Sequence, residues 1–279
     1  DLLRISTTDG RARQLTFSNP PALEAAEMAV PQRISFRSRD GLEVPALLYR
    51  PQRSNRAAIV HPHGGPRDQY VFDFDPFVQY LTAKGYTYLA VNYRGSTGYG
   101  RSYMRALDQR WGVLDVEDAV SGGQTLVNRS LADIKKLVIK GGSAGGYTVL
   151  NSLIRFPRFF KAGLCSFGVS NLFTLVRDTH KFEERYLDTM VGPLPQTADR
   201  YHAWSPIYHA EHIRAALAVF QGDSDKVVPP DQSEQIVAAL RANRVPHIYR
   251  LYPGEGHGWR KVETIDHYYN AVLKFLTQH

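Results

Sequence analysis

A serine set between glycines is the strongest chemical signal in this chain of 279 residues. Ser143 has Gly141 two residues before it and Gly145 two residues after it, the pattern Gly-x-Ser-x-Gly. An apolar strand pattern precedes these residues and a helical pattern follows them. Glycines at these positions let a strand turn sharply into a helix, which leaves the serine hydroxyl exposed above the sheet edge. The spacing predicts a nucleophile elbow; the GK[ST] sequence of a phosphate-binding loop is absent.

A serine hydroxyl is a weak nucleophile without a base and an acid that orients the base, and candidates for both follow it in the chain. Asp225 follows a predicted strand, and Asp223 is the alternative acid two residues earlier. His257 follows the last predicted strand and has a glycine on each side, which frees its loop to place the imidazole over the serine. The order serine, acid, histidine is the one found in α/β-hydrolases. These positions predict a catalytic triad of Ser143, Asp225 and His257, with Asp223 still open as the acid.

Two backbone segments are candidates for an oxyanion hole. The Ala144 amide follows the serine at the start of a predicted helix, whose dipole favours negative charge. The sequence His63-Gly64-Gly65 follows another predicted strand, and its small residues let backbone amides approach the attacked carbonyl group. We therefore predict that this segment and Ala144 together stabilise the oxyanion.

A metal site is the alternative interpretation of two histidine pairs. His61 and His63 share one side of an extended chain, and His209 and His212 are spaced for one face of a helical turn. Each pair needs at least one further ligand, and the sequence identifies none. We expect a reaction that requires neither a metal nor an organic cofactor.

The segments that position these residues alternate between strand and helix patterns. Strand patterns occur at Arg33–Ser38, Glu43–Tyr49, Ala57–His61, Tyr86–Asn92, Lys136–Lys140, Ala162–Ser166, Leu217–Gln221 and Ile248–Tyr252. Helical periodicity occurs at Phe77–Ala83, Val116–Val127, Ala144–Ile154, Gln232–Leu240 and Ile265–Leu276. This alternation predicts an α/β fold with a mostly parallel sheet and helices on both faces. Asp40-Gly41 predicts an antiparallel hairpin at one edge of the sheet.

Two regions depart from this alternation. Leu172–Ala203 is rich in charged residues, Tyr and Pro, and we interpret it as a lid or specificity insertion. Before the regular part of the chain, residues 32–279, the segment 1–31 carries two short strand patterns and a connector. The strand patterns are Leu2–Ser6 and Gln14–Phe17, and the connector includes Asn19, Pro20 and Pro21. Two strands alone are marginal in water, so we expect a fragment of a larger unit or an arm packed on the main domain.

Composition and charge narrow the class of protein. Hydrophobic residues make up 43% and charged residues 22% of the chain, as in ordinary soluble folded proteins. The longest apolar run, Ala215–Phe220, is far shorter than the ~20 residues of a membrane span. The net charge is +7, but no run of Lys or Arg exceeds two residues, so we expect neither nucleic acid nor a membrane as a partner. The single cysteine, Cys165, excludes an intrachain disulfide.

The chain opens with Asp1 rather than Met, so we expect that its original start has been removed. The residues near Asp1 contain no apolar segment of the kind found in signal peptides. We expect a cytoplasmic protein.

Five segments taken together resemble the catalytic domain of the prolyl oligopeptidase family of serine peptidases, in its acylaminoacyl-peptidase-like branch. They are His63-Gly64-Gly65-Pro66, Asn92–Gly100, Arg110-Trp111-Gly112 with Asp115–Asp118, Gly141–Tyr147 and Glu255-Gly256-His257-Gly258. The resemblance extends from about Arg33 to the C-terminus. It implies an α/β-hydrolase fold and favours Asp225 over Asp223 as the acid of the triad.

The resemblance also implies a β-propeller before the hydrolase domain that restricts entry to short peptides. Residues 1 to about 20 resemble the last strands of such a propeller, and we expect the rest of it to lie upstream of this chain. His63 occupies a place where other branches have a tyrosine whose hydroxyl helps to bind the oxyanion. Either the His63 side chain or the Gly64 amide is therefore expected to make that contact.

Residues near the elbow and after the strands are candidates for the substrate pocket. We expect its wall to include Tyr147, Asn171, Phe173 and Val227. The loop Arg94–Tyr99 is either a tight structural crossing below the site or a substrate contact.

The leading functional hypothesis is a serine peptidase that hydrolyses short peptides through an acyl-enzyme. Self-association into a homo-oligomer is a further expectation. The elbow serves ester hydrolysis equally well, so a carboxylesterase acting on small acyl esters is the alternative. A noncatalytic binding protein that retains the fold is a third hypothesis, which the intact set of triad residues disfavours.

Overall fold

The structure is a computed structural model that describes residues 1–18, 20, 23, 28–178 and 185–279. Strands among these residues are β1 Leu3–Ile5, β2 Ala12–Gln14, β3 Gln32–Arg37, β4 Glu43–Tyr49, β5 Ala58–Pro62, β6 Thr87–Val91, β7 Leu137–Gly142, β8 Ala162–Ser166, β9 Ala216–Gly222 and β10 His247–Tyr252. Helices are α1 Pro76–Ala83, α2 Arg101–Arg105, α3 Leu114–Asn128, α4 Ala144–Arg155, α5 Leu172–Asp178, α6 Tyr186–Met190, α7 Ala198–Trp204, α8 Pro230–Ala242 and α9 Val262–Gln278. Short 3₁₀ helices span Ile134–Lys136 and Pro206–His212.

The larger sheet has eight strands in the order β10-β9-β8-β7-β5-β6-β4-β3. All neighbouring pairs are parallel except β3 with β4 and β4 with β6. The predicted mostly parallel sheet and its antiparallel edge hairpin are therefore confirmed. Because the strands from β5 to β10 run the same way, the loops that leave their carboxyl ends meet at one edge of the sheet.

Two hydrophobic cores cover the two faces of this sheet. Alternate residues of one strand belong to different cores, as in β6, where Leu89 and Val91 belong to one and Tyr88 and Ala90 to the other. The first core takes most of its helical residues from α3, α4 and α8, with further ones from α5, α6 and α7, and the second takes them from α1 and α9. Helices on both faces are confirmed, and they account for the helical periodicity of the sequence.

The two departures from the alternation are partly described by the structure. The region Leu172–Ala203 contains α5 and α6 and most of α7, and residues 179–184 of the predicted lid lie outside the described residues. In residues 1–31, β1 and β2 form a separate antiparallel pair with Leu3 opposite Gln14. Of the predicted connector, Pro20 is described, whereas Asn19 and Pro21 lie outside the described residues. In the described part of the chain, no helix combines the length and apolar character of a membrane span.

The loop after β6 is a structural crossing. The Arg94 guanidinium is buried and donates to both carboxylate oxygens of Asp118 on α3, at 2.7 to 3.2 Å, and to those of Asp40 at 2.6 and 3.0 Å. The Asp118 carboxylate also accepts from the Ser38 hydroxyl at 2.6 Å. Hydrogen bonding to Arg94 lowers the pKa of Asp40 to about 2. The arginine thus joins the loop to α3 and to the β3–β4 hairpin, and its contacts support the structural interpretation of Arg94–Tyr99.

Replacing Arg94 should destabilise the fold much more than replacing its exposed partner. Arg94→Leu leaves the buried Asp118 carboxylate without a cation, and we expect the free energy of unfolding to fall by about 3–5 kcal/mol. Asp40→Asn removes an ion pair whose acid is 47% exposed, and we expect a loss of about 1 kcal/mol or less. Urea denaturation measures both, and equal losses would contradict the assignment of Arg94 to a buried structural pair.

Candidate active site

The turn from β7 to α4 holds Ser143 in a rare backbone conformation. Ser143 has φ 54° and ψ −123°, a region that residues other than glycine seldom occupy. Its amide donates to the Ser166 carbonyl oxygen at 3.1 Å, which fixes the turn to the end of β8. Strain of this kind persists only where the surrounding structure imposes it.

Close backbone approaches explain the two glycines of the pattern. A Cβ atom on Gly141 would lie 2.3 Å from the Gly145 carbonyl oxygen, and one on Gly145 would lie 2.5 Å from the Pro62 carbonyl oxygen. Carbon atoms do not approach oxygen so closely, so a side chain at either position would push the elbow apart. The second approach also packs the elbow against the end of β5, where the His63-Gly64 segment begins.

Asp225 and His257 form the second part of the site. His257 Nδ1 lies 2.8 Å from Asp225 Oδ2, and the loops after β9 and β10 supply the two residues. Asp225 Oδ1 accepts from the amides of Val227 and Val228 at 2.8 and 3.0 Å. These bonds hold the carboxylate in place, and the imidazole therefore takes its orientation from a fixed acceptor.

The alternative acid lies elsewhere. Asp223 is exposed, and its Oδ1 accepts from the Gly254 amide at 2.7 Å and from the Ser224 hydroxyl at 2.8 Å. These contacts lower the pKa of Asp223. The structure pairs Asp225, and not Asp223, with the His257 imidazole, in agreement with the family resemblance.

A buried carboxylate shapes the loop that carries His257. Glu255 accepts from the amides of Arg260 and Lys261, both at 3.0 Å, and its own carbonyl oxygen accepts from the Ser224 amide. On the other side, the Phe167 ring lies 4.5 Å from the His257 ring, centroid to centroid. The imidazole is thus held by Asp225, by Phe167 and by the loop closed on Glu255. The carboxylate of Glu255 is a positioning group that the sequence analysis did not identify as one.

Two cavities open beside Ser143. The larger, about 560 Å³, is lined by both Ser143 and His257. The smaller, about 80 Å³, is lined by Ser143, Ala144 and a set of mainly apolar residues from several loops and helices: Pro66, Trp111, Val169, Leu175, Leu187, Val227 and Val228. Ser143 therefore lies between a larger cavity that it shares with His257 and a smaller cavity with mainly apolar walls.

The two candidate oxyanion amides are available for a ligand. Neither the Gly64 nor the Ala144 amide donates a hydrogen bond to another described residue. A Cβ atom on Gly64 would lie 3.7 Å from Ser143 Cβ, so this glycine is adjacent to the serine. Ala144 is the first residue of α4, where the helix dipole adds a partial positive charge. Both amides can therefore act on negative charge that develops beside Ser143.

The His63 side chain is already engaged. Its Nδ1 lies 2.6 Å from the Gly64 carbonyl oxygen, its Nε2 lies 2.6 Å from Ser96 Oγ, and its ring stacks on Tyr93. Burial lowers the pKa of His63 to about 4. With both ring nitrogens used, the Gly64 amide is the better of the two predicted oxyanion contacts.

The other histidine of that segment is also held by protein groups. His61 Nδ1 lies 2.8 Å from the Tyr70 hydroxyl and 2.6 Å from the Tyr88 hydroxyl, and its Nε2 lies 3.2 Å from Lys140 Nζ. No group of three His, Cys, Asp or Glu side chains among the described residues is arranged to hold a metal ion. Both ring nitrogens of His61 and of His63 are thus in contact with other protein groups.

The profile of the prolyl oligopeptidase family matches residues 72–279. This chain belongs to the prolyl oligopeptidase family. "Dipeptidyl peptidase family member 6" of Caenorhabditis elegans is 30% identical over 95% of the chain and 40% of its own length. "Acylamino-acid-releasing enzyme" of Sus scrofa is 28% identical over 85% of the chain and 34% of its own length.

A solved structure of the family is also similar. The puromycin-hydrolyzing peptidase of Mycobacterium tuberculosis superposes with a TM-score of 0.92 and is 36% identical over 99% of this chain and 44% of its own length. The chain thus spans less than half the length of these relatives. The comparisons confirm the predicted family and, with the sheet described above, its α/β-hydrolase fold.

The four predicted pocket residues of this family member lie in different places. Val227 lines the smaller cavity. Tyr147 is fully buried behind Trp111, and its hydroxyl donates to the Trp204 carbonyl oxygen at 2.8 Å. Asn171 Oδ1 accepts from the Phe173 amide, and the Phe173 ring packs on Tyr201. Tyr147 is therefore part of the core, which corrects its assignment to the pocket wall, and neither Asn171 nor Phe173 is among the residues that line the cavity.

The close approach at the elbow generates a prediction. Gly145→Ala should lower the free energy of unfolding by about 1–3 kcal/mol, because the new methyl group must displace the Pro62 carbonyl oxygen. Gly256→Ala is the control, since a Cβ atom there has no atom within 4 Å, and we expect a change within about 0.5 kcal/mol. Urea denaturation of the two variants measures the difference, and a neutral Gly145→Ala would refute the packing argument.

Proposed function

We propose that the protein is a serine peptidase that hydrolyses short peptides through an acyl-enzyme formed on Ser143. The observation that carries this proposal is the 2.8 Å contact between His257 and Asp225, with the imidazole lining the same cavity as a serine on a nucleophile elbow. Membership of the prolyl oligopeptidase family supports a peptide as the substrate.

In the first half of the reaction, His257 Nε2 accepts the proton of the Ser143 hydroxyl as the oxygen attacks the peptide carbonyl carbon. Asp225 keeps the Nδ1 proton directed at itself and stabilises the imidazolium that forms. The two amides that hold this acid, from Val227 and Val228, prevent it from turning away. The carboxylate therefore acts through orientation and charge, without taking the proton.

The negative charge of the tetrahedral intermediate develops on the former carbonyl oxygen. The amides of Gly64 and Ala144 have no acceptor among the described residues, and both residues are adjacent to Ser143. Preorganised donors at this position stabilise the transition state more than the ground state, and one donor accounts for about 3–4 kcal/mol in serine peptidases. The His63 ring buttresses this segment through Ser96.

The leaving amine then takes the proton from His257, which breaks the peptide bond and leaves an ester on Ser143. Water enters, gives a proton to His257 and attacks the ester, and the same two amides bind the second oxyanion. Release of the acid restores the serine hydroxyl. Every proton moves through the His257 imidazole, so these reaction steps need no cofactor.

The smaller cavity is the proposed acyl-side pocket. It is lined by Ser143 and by the oxyanion residue Ala144, so a side chain on the attacked residue points into it. Its remaining walls are mainly apolar, and the ring of Trp111 is buried among them. We infer a preference for an apolar residue on the acyl side of the cleaved bond.

We also propose that residues 1–31 are the end of a β-propeller and its connector, and 32–279 the catalytic domain. The β1–β2 pair leaves large apolar side chains exposed, with Leu3, Ile5 and Leu15 at 61%, 64% and 51%. Relatives more than twice as long support an upstream domain. A cytoplasmic location and self-association stay predictions.

Removal of the nucleophile tests the proposed chemistry. Ser143→Ala should abolish labelling by a fluorophosphonate and lower kcat for an alanyl-leucyl anilide by about 10⁴-fold or more. Asp225→Asn should lower kcat by about 10³–10⁴-fold, because the imidazole loses its oriented tautomer. Asp223→Asn is the matched control, with expected activity within about twofold of the wild type. Hydrolysis of a short nitrophenyl ester but not of the anilide would instead support the carboxylesterase.

A charge in the acyl-side pocket should reverse its preference. Leu187→Glu places a carboxylate in the wall of the smaller cavity, and we expect kcat/KM for an apolar acyl residue to fall by about 10–200-fold. Val262→Glu, at a position 76% exposed on α9, controls for the added charge. Steady-state kinetics on leucyl and lysyl anilides measure the effect. An unchanged leucyl to lysyl ratio would place the acyl side elsewhere.

A further inference from the structure

The larger cavity contains a charged group for which the reaction described above has no use. Lys140, near the end of β7, lines this cavity together with Ser143 and His257. Its ammonium group lies 3.2 Å from His61 Nε2 and 4.9 Å from the centre of the Phe77 ring. No carboxylate of the described residues lies within ion-pair distance of it. The strand otherwise carries only apolar residues and glycine, Leu137–Ile139 and Gly141-Gly142.

The nearby acids have other partners. The Asp75 carboxylate acts on Lys140 through its charge, which raises the pKa of the amine, but it lies beyond ion-pair distance and accepts from the amides of Phe77 and Val78 at the start of α1. Asp68, the other acid on the cavity wall, is exposed, and its Oδ1 accepts from the Gln69 amide. A half-buried ammonium group without a carboxylate in contact is costly to maintain, because its surroundings solvate the charge poorly. Such a group in an open cavity can bind an anion.

His61 fixes the position of this ammonium group. The two tyrosine hydroxyls on Nδ1, from Tyr70 and Tyr88, leave Nε2 directed at Lys140. Burial lowers the pKa of His61 well below its usual value, so the neutral ring accepts the hydrogen bond from the ammonium. Burial also lowers the pKa of Lys140, to about 8, so the amine is still mostly protonated at neutral pH. One N–H is thus used, and the others can meet a ligand.

The position of the cavity identifies the part of the substrate that occupies it. The leaving amine must receive its proton from His257, so the leaving portion lies on the side of Ser143 where His257 is exposed. Each cavity is lined by one oxyanion residue, Gly64 in the larger and Ala144 in the smaller, but His257 lines the larger cavity and not the smaller. The larger cavity is therefore the leaving-group side.

We propose that Lys140 binds a carboxylate on the leaving portion of the substrate, within about three residues of the cleaved bond. The inference rests on the proposed function and adds a substrate class to it. The limit follows from the strand, because Ser143 is three positions after Lys140, a span of about 10 Å in an extended chain. An extended peptide covers the same distance in about three residues. The carboxylate is a free C-terminus or an acidic side chain, and it stays ionised throughout the reaction.

Peptides that share the acyl part Ala-Leu and differ in their leaving portion distinguish the two sources of the carboxylate. We would compare Ala-Leu-Gly-Gly as the free acid, the same peptide as its C-terminal amide, and Ala-Leu-Asp-Gly as its amide. Ala-Leu-p-nitroanilide, which has no carboxylate on its leaving group, measures the basal activity. We expect the free acid to exceed the amide in kcat/KM by about tenfold to a hundredfold, the range of one charge-assisted hydrogen bond. A matching gain for the Asp peptide would show that side chains are accepted too.

Three variants test whether the ammonium group of Lys140 causes the preference for the free acid. Lys140→Met should reduce the free acid to the level of the amide and leave anilide turnover within about twofold of the wild type. Lys140→Arg keeps a cation and should keep a preference for the acid. Lys135→Met removes an exposed lysine before β7 and should change nothing. Thermal unfolding and the rate of fluorophosphonate labelling show whether the variants are folded.

Two results would overturn the proposal: equal kcat/KM of the wild type for acid and amide, or an undiminished preference for the acid in Lys140→Met. Either result leaves the serine peptidase intact, provided that Ser143-dependent anilide turnover persists. Loss of the proposed function would look different, since anilide turnover would then be absent or independent of Ser143.

Discussion

The hydrogen bond between His257 Nδ1 and Asp225 Oδ2 is the interaction on which the catalytic account depends. Its partners are 32 residues apart in sequence and come from loops after neighbouring parallel strands, β9 and β10. Parallel pairing carries both loops to the edge of the sheet where β7 ends in the elbow. The amides of Val227 and Val228 hold the acid, and Phe167 and the loop around Glu255 hold the base. The serine is held by its strained turn, which the bond from its amide to the Ser166 carbonyl oxygen fixes to the end of β8.

Buried charge is distributed in this protein according to its role. Arg94 is surrounded by carboxylates, so it joins three elements and contributes to the fold alone. Asp225 has two backbone amide donors and an imidazole, which hold the carboxylate in place. Lys140 has a neutral imidazole and an aromatic ring but, among the described residues, no carboxylate within ion-pair distance. Arg94 therefore has a structural role, whereas the charge of Lys140 can act on a ligand.

Much of the fold and of the proposed triad could be predicted from the sequence, because strand, helix and elbow patterns follow short-range rules. The choice of Asp225 over Asp223 rested on the family resemblance. Glycine spacing fixes the elbow around Ser143, and alternation of strand and helix patterns fixes a parallel sheet. The pocket could not be predicted in the same way, since its wall is assembled from residues as distant as Trp111, Leu187 and Val228. Tyr147 is an example: helical periodicity places it on α4 near Ser143, but the sequence does not show whether its side chain packs in the core or lines the pocket. Lys140 did carry a signal, a lone charge in a buried strand.

A crystal structure of the protein after reaction with a fluorophosphonate tests the central claim most directly. The account predicts phosphonate density on Ser143 Oγ, with the phosphoryl oxygen about 3 Å from the amides of Gly64 and Ala144. It also predicts His257 still bonded to Asp225 and facing the adduct. An unmodified Ser143, or a phosphoryl oxygen turned away from both amides, would contradict it.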